Sequence, residues 1–148
     1  MKRLLLLLPL TLASCGLFGT PKSYDVSGTV SGTAPTGTVR LAVVGVGLTG
    51  VVKADVPQIA VTLPGNQKFA LDYPNVADGI YQVIAYVDAN GDGSYNLGET
   101  RTQNNGKYLI YSTNGVFSGL TNVKAGWNYV VGLSVTQPGR ITDYDLTW

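Results

Sequence analysis

The chain has 148 residues, of which 19 are glycine and 7 proline, with 13% charged side chains and a formal net charge of +1. It has no histidine and a single cysteine, so composition removes the commonest zinc ligand, the commonest general base and any disulfide within the chain. With near-neutral charge and no Lys/Arg cluster it offers nothing to a phosphate backbone, and no nucleic-acid partner is expected.

The chain begins with four features in order: the charged head Met1-Lys2-Arg3, the apolar run Leu4 to Leu12, the small pair Ala13-Ser14, and then Cys15. That order resembles the signal peptide and lipobox (Leu12-Ala13-Ser14-Cys15) of bacterial lipoproteins. The resemblance implies that the Cys15 sulfur takes a diacylglyceryl group, that cleavage frees residue 15, and that its amine is open to acylation. Leu4 to Ser14 supplies about half of the roughly 20 apolar residues a spanning helix needs, and Pro9 interrupts it. Two or three acyl chains, at about 0.8 kcal/mol per buried methylene, hold a protein durably on a membrane. The expected organisation is a signal peptide over 1–14, lipidated Cys15 and a spacer over 15–23, and one domain over 24–148. Without Lys2 and Arg3 the basic residues number eight against nine acidic ones, which leaves the mature chain close to neutral. The expected location is the cell envelope, with the membrane as partner through lipid on Cys15 and the domain outside the cytoplasm.

From residue 24 onward, apolar residues recur with period two. Tyr24, Val26, Gly28 and Val30 alternate with Asp25, Ser27 and Thr29, and Val39, Leu41 and Val43 alternate with Arg40 and Ala42. Ile59, Val61 and Leu63, then Phe69, Leu71 and Tyr73, follow the same rule. Later, Tyr129, Val131, Leu133 and Val135 are expected on one face against Asn128, Val130, Gly132 and Ser134. At the end, Tyr144, Leu146 and Trp148 oppose Asp143, Asp145 and Thr147. Trp148 reads as an apolar plug.

Turn signals separate these runs: Pro35-Thr36-Gly37, Pro64-Gly65-Asn66, Asp78-Gly79, Asn105-Gly106, Asn114-Gly115 and Pro138-Gly139. No stretch sustains a helical period. One apolar face per strand needs a second layer to cover it, so the expected fold is all-β, an antiparallel β-sandwich of about seven or more strands, with a partly closed barrel as the variant.

The run Gly79-Ile80-Tyr81-Gln82-Val83-Ile84-Ala85-Tyr86-Val87-Asp88, followed by a glycine-rich acidic loop, resembles prealbumin-like modules. These include carboxypeptidase regulatory-like domains and the B-type repeats of bacterial surface adhesins, whose strands often read Gly-x-Tyr-x-Val before an Asp/Asn/Gly loop. The resemblance implies a seven-stranded, immunoglobulin-like sandwich used as a stalk or interaction module without catalysis.

The stretch that carries chemistry is Asp88-Ala89-Asn90-Gly91-Asp92-Gly93-Ser94-Tyr95-Asn96-Leu97-Gly98-Glu99. Oxygen-bearing residues fall at positions 1, 3, 5, 9 and 12, and glycine at position 6. This is the spacing with which an EF-hand loop gives Ca²⁺ its six to eight oxygens at about 2.3–2.6 Å. Asp88, Asn90 and Asp92 would supply side-chain oxygens and Ser94 its carbonyl. Asn96 would act directly or through water, Glu99 would close the shell with two oxygens, and Gly93 would allow the sharp reversal. The flanking segment is a strand and not a helix, so the expected role of Ca²⁺ is structural, with Tyr95 and Leu97 packed at the sandwich end. The competing expectation is a metal-free hairpin whose Asp and Asn side chains bond their own backbone.

Other chemistry is thin. Asp143 and Asp145, two apart on one strand, overlap the spacing of paired glycosidase carboxylates, but a solvated strand face explains them. Tyr108, Tyr111 and Trp127 are candidates for stacking on sugars, although core packing is their ordinary use. No serine has a base available, so no enzyme is expected. The expected function is a non-catalytic envelope lipoprotein contacting an envelope protein or polysaccharide, with a glycan- or peptide-binding lipoprotein as the alternative.

Overall fold

Period-two alternation builds the described chain into nine strands with no helix. The computed structural model describes residues 25–148 except 48, 54–57, 64–66, 73–75, 133 and 137–139. The lipobox and Cys15, the spacer, Tyr24, Tyr73, Leu133 and the turns at Pro64-Gly65-Asn66 and Pro138-Gly139 lie outside those residues.

The strands are β1 (Val26–Ser31), β2 (Thr38–Val46), β3 (Ile59–Thr62), β4 (Lys68–Leu71), β5 (Gly79–Asp88), β6 (Lys107–Ser112), β7 (Gly126–Val131), β8 (Ser134–Thr136) and β9 (Leu146–Thr147). They form a three-stranded sheet in the order β4-β1-β9 and a six-stranded sheet in the order β3-β2-β5-β6-β7-β8. Every strand pair is antiparallel except β1 with β9. The fold is the all-β sandwich that the alternation implies.

The inner faces meet in one cluster. Val26, Val30, Phe69, Ile141, Tyr144 and Leu146 from the small-sheet side pack on Leu41, Val43, Tyr81, Val83, Ala85 and Leu109 from the large sheet. Each large aliphatic side chain buried here contributes about 1.5–3 kcal/mol relative to exposure. Tyr144, Leu146 and Trp148 do share the core face, and Trp148 plugs its edge. Gly28 permits the close crossing on which this side depends. A β-carbon there would stand 2.4 Å from the Tyr144 carbonyl oxygen, so only glycine lets β1 and the Tyr144 segment approach so closely.

Two features depart from the simple alternation. The run Tyr129 to Val135 is not one strand. β7 and β8 fold back on each other with Val131 opposite Ser134, and Gly132 takes φ +60° in the turn. Val131 therefore lies 46% exposed instead of sharing the core face with Tyr129. The second departure is that β2 and β5 are buried on both faces. Ala42, Val44, Val46, Ile84 and Tyr86, on the outer face, form a second cluster with Val52 and Tyr95. Val52 comes from the β2–β3 connection and Tyr95 from the segment after β5, so folded-back loops cover the large sheet where a third layer would otherwise be needed.

The chain between β5 and β6 also joins the two sheets. Val87 N–H donates to Thr100 O at 2.9 Å and Thr102 N–H to Ala85 O at 2.8 Å, which lays residues 100–102 along the last half of β5. Gln103 then exchanges backbone hydrogen bonds with Thr147 of β9.

Candidate metal-binding loop

Asp88 ends β5, and strand parity puts it on the outer face of the large sheet together with Tyr86 and Ile84. Residues 89–99 then leave the sheet as a loop and return at Thr100. Gly93, with φ +80°, sits at the reversal the sequence assigns to it. The flanking structure is strand, as expected, with no helix on either side.

The loop wraps its own oxygen-bearing side chains. Asp88 Oδ2 accepts from Gly93 N–H at 3.1 Å, and Asp92 Oδ1 accepts from Ser94 N–H at 2.7 Å. Asp92 Oδ2 takes the amide groups of Asn90 at 2.9 Å and Asn96 at 2.7 Å. Asn90 Oδ1 accepts from Asp92 N–H at 3.1 Å, and Ser94 O accepts from Asn96 Nδ2 at 3.1 Å. Glu99 closes the ring from the far end, with Oε1 on Ala89 N–H and Oε2 on Asn96 N–H, both at 2.8 Å. All six residues singled out by spacing, Asp88, Asn90, Asp92, Ser94, Asn96 and Glu99, thus belong to one hydrogen-bonded network. Their oxygens are engaged chiefly by loop amides, and no three carboxylates among the described residues converge as a metal cluster.

Two buried oxygens stand apart from that network. Asp88 is almost wholly buried, yet its Oδ1 has no hydrogen-bond partner among the described residues, and the same holds for the Tyr86 hydroxyl. A buried acceptor left without a donor costs about 1–3 kcal/mol, more when charged. The other Asp88 oxygen is held by Arg40, whose Nε donates at 2.6 Å. Arg40 comes from the outer face of β2, and its guanidinium carbon lies 4.0 Å from where a Gly93 β-carbon would stand. The charge between Val39 and Leu41 is the sequence signal that could have marked it, since a lone arginine in an apolar strand needs a partner. Burial pushes the Tyr86 phenol up to about 12, and the Asp88 carboxylate adds to that shift. Asp92 is held below its ordinary range, first by the Ser94 N–H and then by the amides of Asn96 and Asn90.

Docking of the loop depends on Tyr95 and Gln58. Tyr95 is buried edge-on against Tyr86, ring centres 5.6 Å apart, with the Arg101 guanidinium 5.7 Å from its own ring centre. Gln58 grips the Tyr95 backbone with both amide atoms, Nε2 to Tyr95 O and Oε1 from Tyr95 N–H, each at 2.8 Å. Leu97, expected to pack beside Tyr95, is instead 70% exposed. Of the loop residues it is Tyr95 that joins the outer cluster.

The donor chemistry suits a hard cation. The six residues offer oxygen alone, and one oxygen each from Asp88, Asn90, Asp92 and Ser94 plus two from Glu99 make the six that calcium requires at minimum. The orphaned Asp88 Oδ1 is an additional acceptor already desolvated beside the loop.

The remaining candidates lie at the core edge, against the outer cluster and beside β1. Trp127 lies in β7 between Tyr81 and Tyr111, at ring distances of 5.3 and 5.2 Å, and Trp127 and Tyr111 pack partly buried at the core edge. Tyr108 lies in β6 against the outer cluster. Asp145 accepts from Thr29 N–H at 2.9 Å and from its hydroxyl at 2.8 Å, the contacts that hold its carboxyl below the ordinary range, and so ties the chain end to β1. Asp143 is exposed. No protein-family model, no curated protein and no solved structure matches this chain.

Proposed function

We propose that this protein is a lipid-anchored, non-catalytic β-sandwich of the bacterial cell envelope whose Asp88–Glu99 loop takes up a structural Ca²⁺. The observation that carries the calcium reading is the desolvated Asp88 Oδ1, which has no donor among the described residues while the loop around it gathers oxygens from Asn90, Asp92, Ser94, Asn96 and Glu99. A divalent ion supplies the missing positive charge. Arg40 already neutralises part of the site, which favours weak affinity, in the range of about 10⁻⁴ to 10⁻³ M suited to extracellular modules. The lipid anchor rests on the order of head, apolar run and Leu12-Ala13-Ser14-Cys15, and the prealbumin-like resemblance supports a role as stalk or interaction module toward an envelope protein or polysaccharide.

The test is calorimetric titration of the purified domain with CaCl₂ and MgCl₂, beside fractionation of cells making the wild-type chain and Cys15→Ser. Binding of Ca²⁺ at submillimolar to millimolar Kd, with Mg²⁺ weaker, is the expected result, and Cys15→Ser leaves the membrane fraction. No heat at millimolar Ca²⁺ refutes the metal reading, and unchanged membrane association of Cys15→Ser refutes the anchor.

A further inference from the structure

We propose that the groove between the β2–β3 connection and the segment after the acidic loop is a binding site for a carboxylate-bearing saccharide. The groove has a volume of about 370 Å³ and is lined by polar and small residues, among them Thr49, Gln82, Arg101, Gln103, Asn104 and Tyr108. That volume lies within the roughly 300–1,000 Å³ of small-molecule sites. Among the described residues, no aspartate or glutamate lines it.

Two of its polar side chains, Gln82 and Arg101, bring donors to it. Gln82 is buried on the outer face of β5 and turns Oε1 to Arg101 Nη1 at 3.4 Å, which leaves its Nε2 directed elsewhere. A β-carbon on Gly50 would lie 3.5 Å from the Tyr108 hydroxyl and 3.9 Å from Gln82 Nε2, so these two atoms come to one end of the groove. Arg101 is half-exposed and has no carboxylate partner among the described residues. The Arg101 guanidinium and the Gln82 amide call for a ligand oxygen that carries charge, while Asn104, whose Nδ2 is already given to Lys107 O, leaves its Oδ1 to accept from a ligand hydroxyl.

One guanidinium with neutral donors around it matches a single negative charge. A carboxylate fits that balance and the planar fork of arginine, whereas a doubly charged phosphate would call for a second cation. Among the described residues the rest of the lining is hydroxyl, amide and glycine, with Thr49, Gln103 and Asn104 in it and no aliphatic side chain to receive that of a peptide terminus. Hydroxyls of a sugar ring satisfy such a surface. Sequence alone gives one signal for the site: Gln82 is the single amide in the apolar run Tyr81 to Val87.

This inference names a partner class for the interaction module and does not depend on the loop binding calcium. The test is titration of the domain, followed by two-dimensional NMR and run in CaCl₂ and again in EDTA. The ligands are methyl glucuronide, methyl galacturonide, the matching neutral glycosides, and a short peptide with a free C-terminus. Arg101→Gln and Gln82→Ala are titrated in parallel after their melting curves confirm folding. The expected result is saturable shifts with the uronides, at least about tenfold weaker binding of the neutral sugars, and loss of that preference in Arg101→Gln. Binding in CaCl₂ but not EDTA supports the site and shows that the loop orders it. Absence of uronide binding in both buffers, equal binding of neutral sugars, uronide binding unchanged in Arg101→Gln, or binding of the peptide alone overturns the proposal.

Discussion

Glu99→Gln separates the loop as a hydrogen-bonded hairpin from the loop as a calcium ligand. In the structure both Glu99 oxygens accept backbone N–H groups, from Ala89 and Asn96 at 2.8 Å. Glutamine keeps one acceptor and turns an NH₂ toward the other amide. Hydrogen bonds to a charged group are worth about 1.5–3 kcal/mol when well buried, and these lie near solvent, so the metal-free loss is about 1 kcal/mol. In a domain of this size that lowers Tm by about 3–5 °C. Calcium at ten times its Kd adds about 1.4 kcal/mol to the wild type, raising Tm by about 5 °C. Losing the closing carboxylate weakens the ion contact by about 2 kcal/mol, roughly thirtyfold in Kd, and at the same calcium concentration the increment then falls below about 1 °C. Paired thermal melts in EDTA and in CaCl₂, for both proteins, read all four numbers. Equal calcium-induced shifts in wild type and Glu99→Gln refute the assignment of Glu99 as a ligand, and no shift in either refutes the loop as a site.

Arg40→Met leaves the nearly buried Asp88 carboxylate without its cation and is expected to cost about 2–3 kcal/mol in EDTA. Calcium then restores more stability than it adds to the wild type, as urea denaturation with and without the ion will measure. Tyr95→Ala removes the buried ring and undocks the loop from Tyr86 and Arg101. The expected cost is about 3 kcal/mol, with faster hydrogen exchange along residues 89–99 and little change in β1. Tyr86→Phe removes a buried hydroxyl that has no partner among the described residues, so at neutral pH stability is unchanged or rises by up to about 1 kcal/mol. Burial holds the Tyr86 phenol at about 12, above its ordinary value of 10.0, so its neutral form favours the folded state. That contribution is complete below the ordinary value and is lost as pH rises through the folded one. Alkaline titration of tyrosinate absorbance in Tyr86→Phe is expected to lose one late-titrating group.

Much of the architecture is legible along the chain because strand faces follow from a local rule. Val39, Leu41 and Val43, and Tyr144, Leu146 and Trp148, alternate strictly, and each set does face the inter-sheet core. The same rule fails where a turn hides inside an apolar run. By alternation Gly132 reads as one polar-face residue of a strand, but it begins the β7–β8 turn. Period two has no means of distinguishing a strand from two short strands whose hairpin keeps the alternation in step.

The acidic loop shows the same division. Its spacing, from Asp88 through Gly93 to Glu99, is a property of the sequence, and so is the reversal that gathers its oxygens, because glycine alone takes positive φ at low cost. What sits against the loop is decided elsewhere. Arg40 reaches Asp88 from a strand 48 residues earlier, and Gln58 fixes Tyr95 across 37 residues. The second apolar cluster, the exposed Leu97 and the meeting of Gln82 with Arg101 likewise arise only when β2, β5 and their loops are brought side by side. Local alternation and turn chemistry are written in neighbouring residues, whereas which surfaces touch is a long-range outcome of burying two sheets and the outer face of one of them.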